Sequence, residues 1–270
     1  NAIKRSEQIG LLIVLALIII SFTALEPNFF RLQNFINILF SASIVGLIVI
    51  GEALLIIGGQ IDLSPGAVAA FSGVLAAILL GKSLPLLVVV IIVLLVAVTI
   101  GLFNSQLVNF LKIEPFIATL ATMSVFRGLA YIVGGGTAVP IRHKAFIYFG
   151  VGRVFGIPIS VIFFAVIAAV FLVILSRTRF GRNVYMIGGN ETAARLAGLN
   201  PKRIKVVLYT ISTVLASCGG MILAGRMNSG QPVAHSGLEF DALTIAILGG
   251  VRFVGGVGTL TGCMTALFIV

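Results

Sequence analysis

Seven long runs of this chain contain no charged side chain: Gln8–Leu25, Leu32–Gly51, Leu63–Gly81, Ser83–Leu111, Val154–Ser176, Val206–Gly225 and Phe253–Val270. A helix needs about 20 apolar residues to cross the hydrocarbon, where every backbone N–H and C=O must find a partner within its own segment. Two weaker candidates are Pro115–Val133, which contains Arg127, and Ala242–Val251, which is short for a full span. The expected fold is therefore an all-α polytopic membrane protein, a single transmembrane domain over residues 1–270 with about nine membrane helices. At 59% hydrophobic and 10% charged residues, the chain has too few charges to coat a water-soluble surface or to build a basic nucleic-acid face. Its two cysteines, Cys218 and Cys263, both lie in apolar runs and define neither a disulfide framework nor a metal site.

The net charge of +10 reads as an orientation signal, because basic residues collect in cytoplasmic loops. With the N-terminus inside, Lys4, Arg5, Lys112, Arg252 and the seven basic residues from Arg177 to Lys205 fall on the cytoplasmic side. Arg31, Lys82, Arg142, Lys144, Arg153 and Arg226 fall outside. The outer connection Val133–Arg153 is unusually basic, so it is expected to be functional or shielded. The first run follows Lys4 and Arg5 without an A-x-A cleavage site and is read as a retained helix. The last run ends at Val270 after an odd number of spans, and a closing helix is expected beyond it.

Two segments interrupt apolar runs at glycine pairs. Gly58-Gly59, Asp62, Gly66 and Gly73 are echoed by Gly249-Gly250, Arg252, Gly255 and Gly262. Either this is chance spacing among 31 glycines, or it is the trace of a duplicated, inverted half of the kind transporters use. In the first copy the glycines end one helix, Asp62 or Ser64 caps the next, and Pro65 suits its first turn. Asp62 must face protein or water, since lipid contact would cost several kcal/mol. Glu52 is read as a snorkelling carboxylate or as a bundle-interior partner of Arg127. Glu239 and Asp241 stand at a further helix break.

Between the sixth and seventh spans, residues 188–201 parse as a short capped helix. Asn190 is a good N-cap, Glu191 complements the positive helix end, and Gly198 can stop the helix in the left-handed conformation. Asn200-Pro201 then opens the next helix as cap and first residue. Ala193, Ala194 and Ala197 offer a face for close packing, and a helix this short needs a partner.

These residues carry a resemblance. The 188–200 loop looks like the coupling helix of ABC importer permeases of the ribose type. Gly59-Gln60-Ile61-Asp62-Leu63-Ser64-Pro65-Gly66 resembles that family's Gly-Gly-Ile-Asp-Leu-Ser-x-Gly signature. Pro115–Leu120, Phe180-Gly181-Arg182, Gly188–Glu191, Glu239–Ala242 and Leu248-Gly249-Gly250 are similar to further family strings, and the likeness runs from Glu26 to the last run. It implies a permease of about ten membrane helices in a bacterial inner membrane, two copies forming the pathway. Each copy would dock a cytoplasmic ATPase subunit through Gly189, Asn190, Glu191, Ala193, Ala194, Arg195, Ala197 and Gly198, while an extracytoplasmic binding protein delivers a monosaccharide. ATP-Mg would be bound by the partner, with no cofactor or metal on this chain. The chain departs from the pattern at Gln60, an extra residue, at Arg252, and in lacking the final helix.

The residues read as lining the pathway are Gln60, Asp62, Ser64, Gly66, Asn104 and Ser105, with core packing as the competing reading for Asn104. An ion-coupled secondary transporter is the alternative class, using Glu52, Asp62, Glu239 and Asp241 as ion ligands. Gly81-Lys82-Ser83 is no phosphate loop, because Ala76 stands where its first glycine is required. His143 and His235 lack acidic or cysteine neighbours at ligand spacing, and His235 is read as a solvated residue of an external loop.

Overall fold

The computed structural model describes residues 2–270, and the side chains of Lys4 and Arg5, counted above on the cytoplasmic side, lie outside the described set. Twelve helices follow in chain order among those residues: α1 (Ala2–Leu25), α2 (Leu32–Ile57), α3 (Pro65–Gly81), α4 (Leu86–Asn109), α5 (Pro115–Val133), α6 (Lys144–Val151), α7 (Ile159–Arg177), α8 (Arg179–Gly189), α9 (Glu191–Leu196), α10 (Pro201–Arg226), α11 (Leu238–Leu248) and α12 (Leu260–Ala266). Strand β1 (Val139–Pro140) pairs antiparallel with β4 (Ser229–Gly230), and β2 (Arg153–Val154) pairs with β3 (Ile157–Pro158). The basic outer connection, expected to be functional or shielded, thus carries α6 and β1.

Each apolar run contains a helix, but length divides them. Among the described residues only α2, α4, α5, α7 and α10 are long and apolar enough to cross a membrane by themselves. The 17-residue α3, the 11-residue α11 and the 7-residue α12 fall short, because the chain breaks before or after each of them.

Neighbours decide what each helix does with its apolar surface. The 26-residue α2 and α10 sit at the centre: α10 packs on α2, α3 and α4, while α2 also packs on α7 and α11. From Leu47 to Ile57, α2 is buried on every face. By contrast α7 is strongly apolar yet mostly exposed, as expected of a helix whose outer surface meets lipid. Small residues let the central helices approach closely: a Cβ on Gly101 of α4 would stand 2.6 Å from the Thr210 Cα of α10.

Connections gather at two ends. At one end the turn after α2, the α8–α9 junction and the turn after α11 meet, with the Asn109 side chain donating to the Lys202 carbonyl nearby. At the other end the Ile141 N–H donates to the Asn228 carbonyl, β1 pairs with β4, and Arg153 reaches Gln33.

Candidate translocation and coupling site

Two helix breaks define the site. The first follows α2. The Gly58 N–H reaches the Leu54 carbonyl, the Gly59 N–H that of Ile56, and the Gln60 N–H that of Leu55. Gly59 takes a φ of +71°, which closes a helix end that a residue with a Cβ would strain. After α11 the same set recurs: Gly249 to Ile245, Gly250 (φ +86°) to Ile247, and Val251 to Ala246. The two glycine pairs therefore stop their helices in the same way. Beyond them the likeness fades, since Asp62 is buried and Arg252 exposed, and Gly66 is helical while Gly255 sits in a turn at φ +84°.

Residues 58–64 run through the interior, so their backbone needs partners from side chains. The Asp62 N–H donates to Glu52 Oε1 at 3.3 Å and the Leu63 N–H to Thr119 Oγ1 at 3.1 Å. Asp62 Oδ1 accepts from the Ser64 N–H at 2.8 Å and from its hydroxyl at 2.6 Å, while Ser212 donates to Oδ2 at 3.5 Å. Asn104 Nδ2 donates to Ser64 Oγ at 3.1 Å, and the Thr122 hydroxyl donates to Asn104 Oδ1 at 2.7 Å. The Tyr209 hydroxyl reaches Gln60 Oε1 and the Ile61 carbonyl, both at 3.4 Å. Side chains of α2, α4, α5 and α10 thus converge on one turn. Neither Asp62 nor Ser64 caps α3 with its side chain, because Asp62 spends its acceptors on the turn itself.

Glu52 and Arg127 do not pair, contrary to the sequence reading. Arg127 instead donates to the carbonyls of Pro232 (3.2 Å), Ala234 (2.6 Å) and His235 (3.3 Å). Those residues belong to the second break, 227–237, which turns from the end of α10 back into the protein. His235 is consequently no solvated residue: its Nε2 is buried without a partner, as is Glu239 Oε2. The breaks touch at Gly66, where a Cβ would overlap Glu239 Oε2 and stand 2.6 Å from the His235 carbonyl oxygen.

Of the expected lining residues, Asp62, Ser64 and Asn104 join one network, while Gln60 meets it through Tyr209. Ser105 bonds only within its own helix, to the Leu102 carbonyl. All of them are enclosed by protein, so no open pathway passes them in this conformation. A cavity of about 640 Å³ lies elsewhere, between α1, α2, α11 and the chain's end, with a lining that is almost wholly apolar apart from Asn37, Ser41 and Asp241. Glu239 is buried and Asp241 exposed in the first turn of α11, where acids complement the helix dipole. Sequence reasoning missed Thr119 and Thr122, Ser212 and Tyr209; the Thr pair three residues apart in an apolar run was its available signal.

At the basic end stands α9. Asn190 accepts from the Ala193 N–H at 2.9 Å, Gly198 turns at φ +84°, and Asn200 caps α10 by accepting from the Arg203 N–H. Glu191 is ion-paired with Lys205 (2.8 Å) and Arg195 (3.0 Å), and the Lys205 hydrogen bond above all holds its carboxyl below the usual carboxylate range. The expected alanine face is divided. Ala194 is 2% exposed and packs inward, whereas Ala193 and Ala197 are exposed beside Leu196, which is 85% exposed. Leu196, absent from the sequence reading, is the outward apolar residue of this helix.

The base of α9 rests on backbone. A Cβ on Gly188 would overlap the Ile57 carbonyl and stand 2.6 Å from the Gly256 nitrogen, and the Gly256 N–H donates to that same carbonyl at 2.8 Å. The Tyr185 hydroxyl of α8 donates to the Gly258 carbonyl at 2.9 Å. Among the described residues no group of three or more His, Cys, Asp or Glu could hold a metal ion.

A polytopic helical chain with two interrupted spans and a short capped helix at its basic end is matched, over residues 34–270, by the branched-chain amino acid transport system / permease component family. The chain belongs to this permease family. Among its relatives it is 36% identical to the ribose import permease protein RbsC of Escherichia coli over 98% of this chain and 83% of that protein. It is 36% identical to the L-arabinose transport system permease protein AraH of the same organism, over 97% and 80% of the two chains. The probable ABC transporter permease protein YphD is 35% identical over 99% and 80%. No solved structure matches the chain. As a member of a permease family it is a transport component rather than an enzyme.

Proposed function

We propose that this chain is the membrane subunit of an ATP-driven importer of a monosaccharide, energised by a separate ATPase subunit that docks on α9. The observation that carries the reading is α9 itself: six residues, capped at both ends, tied through Glu191 to Lys205 of α10, and presenting Leu196 to solvent. A helix this short does not hold its shape alone, and an exposed leucine between two alanines suits a partner's groove. The names of the ribose and arabinose relatives support a pentose-like cargo.

In this reading the basic end is cytoplasmic, with the N-terminus on that side, and an external sugar-binding protein meets the opposite end. Two permease copies and two ATPase subunits form the working assembly, with ATP-Mg held by the ATPase. The chain supplies nine membrane segments. The inverted repeat is redrawn as α2, break 58–64 and α3 against α10, break 227–237 and α11; the packing of α10 on α3 and of α2 on α11 supports that pairing. Closure of the ATPase pair would move α9, and the glycine contacts at its base would carry the motion to break 58–64 and to the turn after α11 that follows Gly250. Glu52 Oε1 and the Asp62 carboxylate serve the first break as partners of its backbone, a structural use that favours the importer reading over an ion-coupled carrier.

The test is Leu196→Asp. It is expected to insert normally in the membrane while losing both ATPase co-purification and ATP-dependent sugar uptake. Wild-type uptake by this variant would overturn the assignment of α9.

A further inference from the structure

Six basic residues lie at the end of the protein away from α9, against the usual distribution of charge, and the proposed function uses none of them. Two of them, Arg153 and Arg226, line a cleft of about 130 Å³ together with Asn37, Phe40, Val151 and Pro158. Among the described residues neither arginine has a carboxylate within ion-pair distance, and no acid lines the cleft. The Arg226 guanidinium lies over the Phe40 ring, 4.1 Å from its centroid, a cation–π contact that holds the group there without using its N–H donors. Gln33 donates to Asn37 Oδ1 at 3.1 Å, which occupies the acceptor of that amide and leaves its Nδ2. Arg153 makes only a 3.5 Å contact with Gln33 Oε1. The polar capacity left on these side chains is therefore one of donors, the complement of a tetrahedral oxyanion.

The cleft's position selects among oxyanions. Pro158 immediately precedes α7, whose apolar surface is mostly exposed, and Arg226 is the last residue of α10. The cleft thus lies where two spans begin and end, the level at which lipid headgroups sit. Beside it the β2–β3 hairpin turns at Phe155-Gly156, with both residues at positive φ (51° and 83°). Phe155 is fully exposed. A bulky side chain in the left-handed region costs of order 1 kcal/mol, and nothing in the chain touches this one to repay it.

We infer that the cleft between α2, α10 and the β2–β3 hairpin binds the phosphate of a membrane phospholipid, with Arg153 and Arg226 as its donors and Phe155 set among the adjoining acyl chains. The bound phosphate supplies the negative charge that the protein itself does not place there.

Native mass spectrometry of the assembled transporter, extracted in mild detergent from phosphatidylglycerol-containing membranes, tests this. The wild type is expected to retain phospholipid, and the Arg153→Gln/Arg226→Gln variant to lose it by about tenfold for each guanidinium removed. Arg226→Lys, which keeps the charge but not the fork, should fall between them. A second measurement needs no variant: delipidated wild type should rebind phosphatidylglycerol but not diacylglycerol, which lacks the phosphate. Equal lipid retention in wild type and double variant would overturn the inference. So would equal binding of both lipids, saturation by inorganic phosphate in place of lipid, or an unchanged lipid complement accompanied by lost docking of an acidic protein.

Discussion

The two breaks solve the same problem with different means. Break 58–64 carries backbone through the interior of a membrane protein, where an unpaired polar group costs several kcal/mol, whereas break 227–237 is half-buried near the end of the bundle. Break 58–64 is satisfied from four helices, with Glu52, Thr119 and Asp62 taking three successive N–H groups. In break 227–237 the first residues are held by backbone, with β4 paired to β1 and the Ile141 N–H on the Asn228 carbonyl, while 232–235 hang on one cation: Arg127 takes three carbonyls. Unpartnered atoms occur at both breaks, Glu52 Oε2 at the first and His235 Nε2 and Glu239 Oε2 at the second. Many independent partners make a turn hard to move, because all must be released together. A single clamp makes a turn that one event can release. The contrast predicts that the first break is a fixed support and the second the element that yields first.

Removing Asp62 should have the largest effect. Asp62→Ala strands the Ser64 N–H and hydroxyl in a dry interior, at a cost of about 3 kcal/mol or more, so a large fall in thermal stability in detergent is expected. A variant melting within a degree or two of wild type would show that the network is not what holds the break.

Arg127→Ala should act more locally. It frees three carbonyls near the end of the bundle, where water can replace the lost donor, so the global melting temperature should fall by only a few degrees. Hydrogen exchange in 231–237 should rise at least tenfold while that of 58–64 stays unchanged. Equal acceleration in both segments would remove the distinction drawn between them.

The smallest effect belongs to the ion pairs of α9, of which Arg195–Glu191 is exposed and Lys205–Glu191 half-buried. With the Glu191 carboxyl held below its ordinary value, its stabilisation is complete above the usual carboxylate range and is lost as pH falls through the depressed folded value. Lowering the pH from 7 to 5 should therefore leave α9 unchanged, and Glu191→Gln should cost a few tenths of a kcal/mol at pH 7. Fraying of α9, followed by hydrogen exchange, between pH 7 and 5 would contradict this.

The helical positions and both glycine stops were legible in the sequence, because hydropathy and left-handed caps are local properties. So were Asn190, Gly198 and Asn200 as the punctuation of α9, each acting within three or four residues of its own position. The partners of buried polar groups were not legible. Asp62 meets Ser212 across 150 positions, and Arg127 meets Ala234 across 107, and nothing local records either contact. The repeat has the same limit: glycine spacing registers where helices stop, while which segments correspond depends on packing. Likewise, the sequence reading placed Ala194 on an outward face of α9, and only the packing of neighbouring elements shows that Ala194 is buried and Leu196 exposed. The sequence by itself determined that this chain lives in lipid, where its long apolar helices lie and where glycines and caps stop them, since those depend on transfer free energy and on local backbone geometry. The tertiary structure decided which polar groups are satisfied and which surfaces are free, because both are set by contacts between segments far apart in the chain.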